Sequence, residues 1–236
     1  MEGEPPEMTI LLLAALLPPL FLMIKIYKLD KVEKEPGGLI VKLLIFGVLT
    51  TVPAAFLEGF LISLVGGVIS PKTTLFILVE NFFCVGLVEE GVKYFALKKG
   101  SWNHPAFNYT FDGIVYAVAV SIGFAAAENV LYVMEYGMAT AGVRAVTSIP
   151  GHCIFAIYMG ISFSLAKYCE VHGNLPLRKK HLRNAIRIPM LLHGFYDFCA
   201  SMKEPIWTII FLVFIVALDV AAYKKVNEME RQDRPL

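Results

Sequence analysis

Apolar residues fall into seven long runs separated by short polar connections, at roughly Met8–Ile26, Leu39–Leu64, Thr74–Leu97, Gly113–Met134, Ile149–Lys167, Leu182–Ser201 and Ile206–Tyr223. Each approaches the roughly 20 residues that a helix needs to cross about 30 Å of hydrocarbon. The pattern predicts an all-α membrane bundle of about seven transmembrane helices. It forms one integral-membrane domain over residues 1–236, with a motif-bearing core at about 74–201. The Pro18-Pro19 pair predicts a kink or a division in the first helix. The polar last ten or so residues are expected to fray.

Composition agrees with the membrane class: 57% of residues are hydrophobic and 17% are charged, with a mean hydropathy of +0.64. An ordinary soluble domain is excluded. The apolar run at the start is preceded by acidic residues and followed by lysines, so it reads as a retained span and not as a secretory signal. The net charge of +1 and the scatter of basic residues through loops argue against a nucleic-acid partner. Cys84, Cys153, Cys169 and Cys199 show no CxxC spacing and read as packing residues.

Lysine and arginine sort by side. One set of connections holds Lys25, Lys28, Lys31 and Lys34, then Lys98 and Lys99, then Arg178, Lys179, Lys180 and Arg183, and finally Lys224, Lys225, Arg231 and Arg234. The opposite set holds Lys72, Arg144 and Lys203, together with the acidic Glu2, Glu4 and Glu7. The asymmetry places the N-terminus outside and the C-terminus in the cytoplasm, with the plasma membrane as the expected location.

Ionisable residues inside the spans carry the candidate chemistry. An acidic or basic residue at the centre of a spanning helix costs about 2.5–3.5 kcal/mol on insertion scales, so a group of them needs partners, water or a metal. In VEEGVKYFA, Glu89 and Glu90 lie four and three residues before Lys93, so both carboxylates can reach its ammonium. Lysine snorkelling would account for Lys93 and one glutamate, but not for both. In FAAAENVLY, Ser121, Ala125, Glu128 and Tyr132 form one stripe with Asn129 beside it. Glu80 repeats the same FxxxEN outline but falls on the face opposite Glu89, which makes it a structural or water-facing acid.

His152 heads a small-residue stripe with Ala156, Gly160 and Ser164. His193 and Asp197 share a face at i,i+4, where they can share a metal or form a bond that locks helices together. Two histidines among carboxylates make a nitrogen and oxygen ligand field suited to Zn²⁺, with a spare glutamate available as general base. Metal-assisted hydrolysis fits.

Glu89-Glu90-x-x-Lys93, Phe124-x-x-x-Glu128-Asn129, His152 ahead of Gly160, and His193-x-x-x-Asp197, in this order on successive spans, resemble the PrsW family of intramembrane proteases. This family is distantly related to the CAAX prenyl endopeptidases. The resemblance implies a membrane-embedded endopeptidase acting on a membrane-anchored protein, such as an anti-sigma factor cleaved in a stress response. The CAAX branch has histidine where this chain has Glu128, which argues against prenyl-protein processing.

The expected arrangement has Zn²⁺ held by His152, His193 and Glu128, with Asp197 as a fourth or outer ligand. Glu89 is the general base, Glu90 orients the site or the substrate backbone, Lys93 restrains a carboxylate, and Asn129 donates to the oxyanion. A metal-free mechanism, in which Glu89 activates water while His193 and Asn129 stabilise the oxyanion, stays open. An ion-coupled carrier or a non-catalytic scaffold would also tolerate intramembrane charge, but of the internal repeats or paired Gly/Pro-broken spans expected of carriers the chain shows only the weak FxxxEN echo. Along their spans, Glu128 and His152 lie toward the outer side, His193 near the midplane, and Glu89 and Glu90 toward the cytoplasm. A cavity at mid to outer depth is expected.

Single cysteines introduced into a cysteine-free background test the orientation. A membrane-impermeant thiol reagent on intact cells should label the connections Gly66–Lys72 and Tyr136–Arg144 and leave Lys28–Gly37 and Gly173–Lys180 unlabelled. The reverse pattern inverts the protein.

Overall fold

The computed structural model describes residues 6–236 as a bundle of helices. Glu2 and Glu4, used above in assigning sides, lie outside the described residues. The helices are α1 (Pro6–Leu29), α2 (Gly37–Gly66), α3 (Thr74–Val79), a π-helical segment (Glu80–Gly86), α4 (Leu87–Ser101), α5 (Asp112–Tyr136), α6 (Met138–Val146), α7 (Ser148–Val171), α8 (Leu175–Ser201) and α9 (Pro205–Arg231). Each of the seven predicted runs has a helical counterpart. α1 stays undivided through Pro18 and Pro19. The third run is a continuous succession of α3, the π segment and α4.

Five stretches are long and apolar enough to cross a membrane: Glu7–Leu29, Gly37–Gly66, Asp112–Tyr136, Met138–Val171 and Pro205–Arg231. The other two predicted spans, α3 through α4 and α8, contain Glu89, Glu90, Lys93, His193 and Asp197. Beyond these residues, α4 ends on Lys98 and Lys99, and α8 carries Arg178, Lys179, Lys180, Arg183 and Arg187 in its first half.

α5 and α7 form the centre. Every residue from Asp112 to Ala125 on α5 is buried, and α7 packs on it with α1, α2, α4 and α8 arranged around the pair. Leu13, Leu17 and Phe21 on α1, Val52, Phe56 and Phe60 on α2, and Ile209, Val213 and Val216 on α9 are exposed, as lipid-facing positions should be.

With little hydrophobic drive between helices in lipid, close approach relies on small residues. Gly160 of α7 meets α5 backbone to backbone: a Cβ there would stand 2.5 Å from Ile114 Cα and 2.6 Å from Gly113 O. Ser121 Oγ of α5 donates to His152 O at 2.9 Å, so the small-residue stripe read from the sequence is the α5–α7 contact. Gly194 of α8 performs the same service against the π segment, where a Cβ would meet Phe82 Cα at 2.8 Å. That approach brings His193 beside Glu90.

The polar tail does not fray. Helix α9 continues to Arg231, Thr110 N donates to Arg234 O at 3.0 Å, and Leu236 N donates to Asn108 O at 2.8 Å. The tail finds backbone partners in the α4–α5 connection, which satisfies groups that would otherwise need water.

Because nothing lies within 4 Å of a Cβ at Gly59, Gly59→Ala should leave stability unchanged or slightly raised. Gly160→Ala should cost about 3 kcal/mol or more by forcing α5 and α7 apart. Thermal unfolding of the two variants in detergent checks the contrast, and equal midpoints would remove the α5–α7 approach from the account.

Candidate active site

Four helices bring the predicted ionisable residues to one place. Glu89, Glu90 and Lys93 lie in the first two turns of α4, immediately after the π segment. Insertions of this kind in helices recur at functional sites because they reset the phase of the residues that follow. Lys93 Nζ lies 2.8 Å from Glu89 Oε2, 2.8 Å from Glu90 Oε1 and 3.2 Å from His152 Nδ1 of α7. It also stands 4.1 Å from the centre of the Phe124 ring, a favourable cation–π placement.

The two histidines are used alike. His193 of α8 turns Nδ1 to Glu90 Oε1 at 3.0 Å and Nε2 to Asp197 Oδ2 at 3.1 Å. His152 turns Nδ1 to the α4 cluster and Nε2 to Glu128 Oε2 at 2.9 Å. Each imidazole thus has one nitrogen facing inward and an outer nitrogen held by a carboxylate. The rings stand nearly perpendicular with centroids 5.3 Å apart, and Phe155 stacks on His193 at 5.0 Å.

Donor atoms of Glu89, Glu90, His152 and His193 all lie within 4.8 Å of one another, and all four residues are buried. This is a buried acidic and histidine group that could hold a metal. Glu90 Oε2 is buried without a hydrogen-bond partner, a costly state that a cation would relieve. The donors gathered here differ from the expected set at Glu128, which touches His152 from outside, and at Glu89 and Glu90, which take the inner positions; Asp197 takes the outer of its two expected places.

The separate depths expected for these residues disappear in the structure. The third run continues unbroken from Thr74 to Ser101, which puts Glu89 midway along it. The site lies in the half of the bundle nearer α6, whose Arg144 bonds Glu128, and away from the lysine-rich connections.

A cavity of about 500 Å³ opens onto this cluster, with Glu89, Glu128, His152, His193 and Asp197 on its wall. Glu90 is 0% exposed and does not reach the cavity. Asn129 is placed differently from expectation. Its Nδ2 donates to Ala15 O at 2.8 Å and its Oδ1 accepts from Arg144 Nε at 2.8 Å, which ties α5 to α1 and α6 and leaves the amide turned away from the cavity. Glu80 is absent from the cavity wall, as its opposite face implied.

Two wall residues were missed. Glu58 sits in the apolar stretch of α2, lines the cavity and has a buried Oε1 without a partner. The rule that singled out the other acids, an ionisable residue inside a spanning run, would have found it. Arg144 on the short α6 bonds Glu128 Oε2 at 2.9 Å through Nη2. In the sequence it shows only as a loop charge.

Similarity to known proteins bears on this geometry. The family model described as PrsW family intramembrane metalloprotease matches residues 35–222. A protein named Protease PrsW from Geobacillus kaustophilus is 33% identical over 225 residues, covering 95% of this chain and 94% of the relative. Proteins of the same name from Oceanobacillus iheyensis and Bacillus subtilis are 36% identical, covering 92% of this chain and 96% of the relative, and 31% identical, covering 87% and 88%. No solved structure matches significantly. An all-helical membrane bundle with glutamates and histidines converging on an internal cavity, matched over most of its length by these relatives, belongs to the PrsW family of intramembrane proteases.

Proposed function

We propose that the protein cuts a peptide bond in or next to the spanning segment of a membrane-anchored protein, such as an anti-sigma factor, with Glu89 as the general base. One observation carries the assignment. Of two adjacent glutamates bound to the same lysine, Glu89 lines the cavity and Glu90 is sealed behind it. Only the former can meet water and substrate. The family resemblance supplies the anti-sigma factor as a substrate class. A cavity walled by helices suits a substrate that arrives from the bilayer.

In this reading Glu89 takes a proton from the attacking water and passes it to the nitrogen of the departing chain. Lys93 fixes both carboxylates, and the lysine contact limits the freedom of Glu89 before substrate enters. Glu90, His152 and His193 fit a metal by donor type, spacing and the orphaned Glu90 Oε2. A Zn²⁺ ion held by these three would polarise the scissile carbonyl and make bound water more acidic. Glu128 and Asp197, each on an outer histidine nitrogen, orient the rings in the manner of carboxylate partners of metal-bound histidine. Arg144 shares the Glu128 carboxylate and holds α6 against the mouth of the cavity.

The same arrangement serves a metal-free reaction, in which Glu89 activates water and the histidines supply hydrogen bonds to the oxyanion. The unpartnered Glu90 oxygen favours the metal. With the lysine-rich connections in the cytoplasm, the cavity lies in the outer half of a plasma-membrane protein, and scission is placed there.

Turnover of a single-span substrate in proteoliposomes tests the base. Glu89→Gln should lower it by at least about 100-fold while folding and insertion are retained, and wild-type turnover removes Glu89 from the mechanism. In the same assay Glu128→Ala should lose at least about tenfold, the usual effect of removing a carboxylate that orients a ligand. Glu80→Ala should keep most activity, and a reversal of these two effects assigns the FxxxEN role to the wrong copy.

A further inference from the structure

A second group of carboxylates lies at the opposite end of α5. Asp30 follows the last turn of α1, Glu35 lies in the α1–α2 connection, and Asp112 opens α5. One oxygen from each falls within 4.8 Å of the others, and their exposures are 1%, 3% and 1%. From Asp112 to Glu128 the helix rises about 24 Å, so this group is separate from the catalytic cluster.

Its carboxylates outnumber the positive charge near them. None of the three takes part in a salt bridge among the described residues, and both oxygens of Asp30 and Oδ1 of Asp112 are buried without any hydrogen-bond partner. Lys34, the nearest cation, spends its ammonium on the main-chain carbonyls of Tyr27, Lys28 and Asp30 at the end of α1. Asp112 Oδ2 accepts from Asn108 N at 2.9 Å and Tyr109 N at 2.7 Å, and Tyr116 Oη bonds Glu35 Oε2. These contacts fix two of the acids in place but leave oxygens facing each other. Burial pushes the Asp30 carboxyl up to about 6 against the opposing pull of Lys34, and the Glu35 carboxyl up to about 9 against its bond from Tyr116, the response of carboxylates whose burial outweighs their partners.

We propose that Asp30, Glu35 and Asp112 bind a hard divalent cation, Ca²⁺ or Mg²⁺, which clamps the α1–α2 connection to the start of α5. Carboxylate oxygens without nitrogen or sulfur donors suit these ions and not zinc. Three oxygens within 4.8 Å of one another lie no more than about 2.8 Å from a common centre, so a contraction of a few tenths of an ångström brings them into the Ca²⁺ range and a larger one is needed for Mg²⁺. The C-terminal tail adjoins the clamp: Asp233 accepts from Thr110 Oγ1 at 3.0 Å and from Phe111 N at 2.8 Å, one residue before Asp112. Cation binding therefore steadies the tail and both connections at this end of the bundle.

The test uses the full chain, purified in detergent and stripped with a chelator. Adding Ca²⁺ or Mg²⁺ separately at about 1 mM, near the upper range for weak oxygen sites, should raise the unfolding midpoint of the wild type by about 5 °C through preferential binding to the folded state. The cation giving the larger rise identifies the occupant. Tb³⁺ is the direct probe: aromatic-sensitised emission should appear in the wild type and fall at least about tenfold in Asp30→Asn and in Asp112→Asn. If Asp112→Asn fails to fold, Asp30→Asn decides. Absence of a midpoint rise with either cation, or Tb³⁺ emission of wild-type strength in the folded variants, overturns the proposal and leaves the three acids sharing protons.

Discussion

The Lys93 ammonium is the interaction on which the site is built. It lies within hydrogen-bonding distance of Glu89, Glu90 and His152 at once, and is itself fully buried. Removing one partner from a buried ionic group typically costs about 3–5 kcal/mol, because the remaining charge is stranded. A helix carrying two glutamates could not occupy the interior of an apolar bundle without such a partner. The glycine contacts follow from the same need, since His152 and His193 reach the cluster only if α7 lies close on α5 and α8 lies close on the π segment.

This arrangement separates two tasks that neighbouring identical side chains could have shared. Glu90 is enclosed and bonded to both Lys93 and His193, which suits a fixed ligand. Glu89 shares the lysine but meets the cavity, which suits proton transfer to and from a reacting group. The outer carboxylates complete the design. Glu128 and Asp197 each hold one histidine by the nitrogen that faces away from the cluster, so ring orientation is set before any metal or substrate enters.

Much of this was legible in the chain. Hydrophobic run lengths located all seven helical segments because the bilayer sets their length, and ionisable residues inside those runs marked Glu89, Glu90, Lys93, Glu128, His152, His193 and Asp197 as residues that meet. Periodicity orders residues on one helix but does not say which nitrogen of His193 faces which carboxylate. Glu128 therefore reads as an inner ligand from the sequence although it approaches His152 from outside, whereas the outer place of Asp197 is one of the two that the spacing allows. The apolar stretch ends before the third helical run does, since α4 continues to Ser101, so the run's polar end hides how central Glu89 is along it. Asn129 was read as a catalytic donor because it follows Glu128. Its neighbours Ala15 and Arg144 come from elements far away in sequence, and no local pattern reveals them.

In the function proposed above, the cluster at the cavity holds a catalytic metal with both histidines as ligands. Elemental analysis of detergent-purified protein, wild type beside the double variant His152→Ala/His193→Ala, decides this. About one zinc per chain in the wild type and loss of that zinc in the double variant is the predicted result. Equal zinc in the two proteins, or none in the fully active wild type, would contradict it.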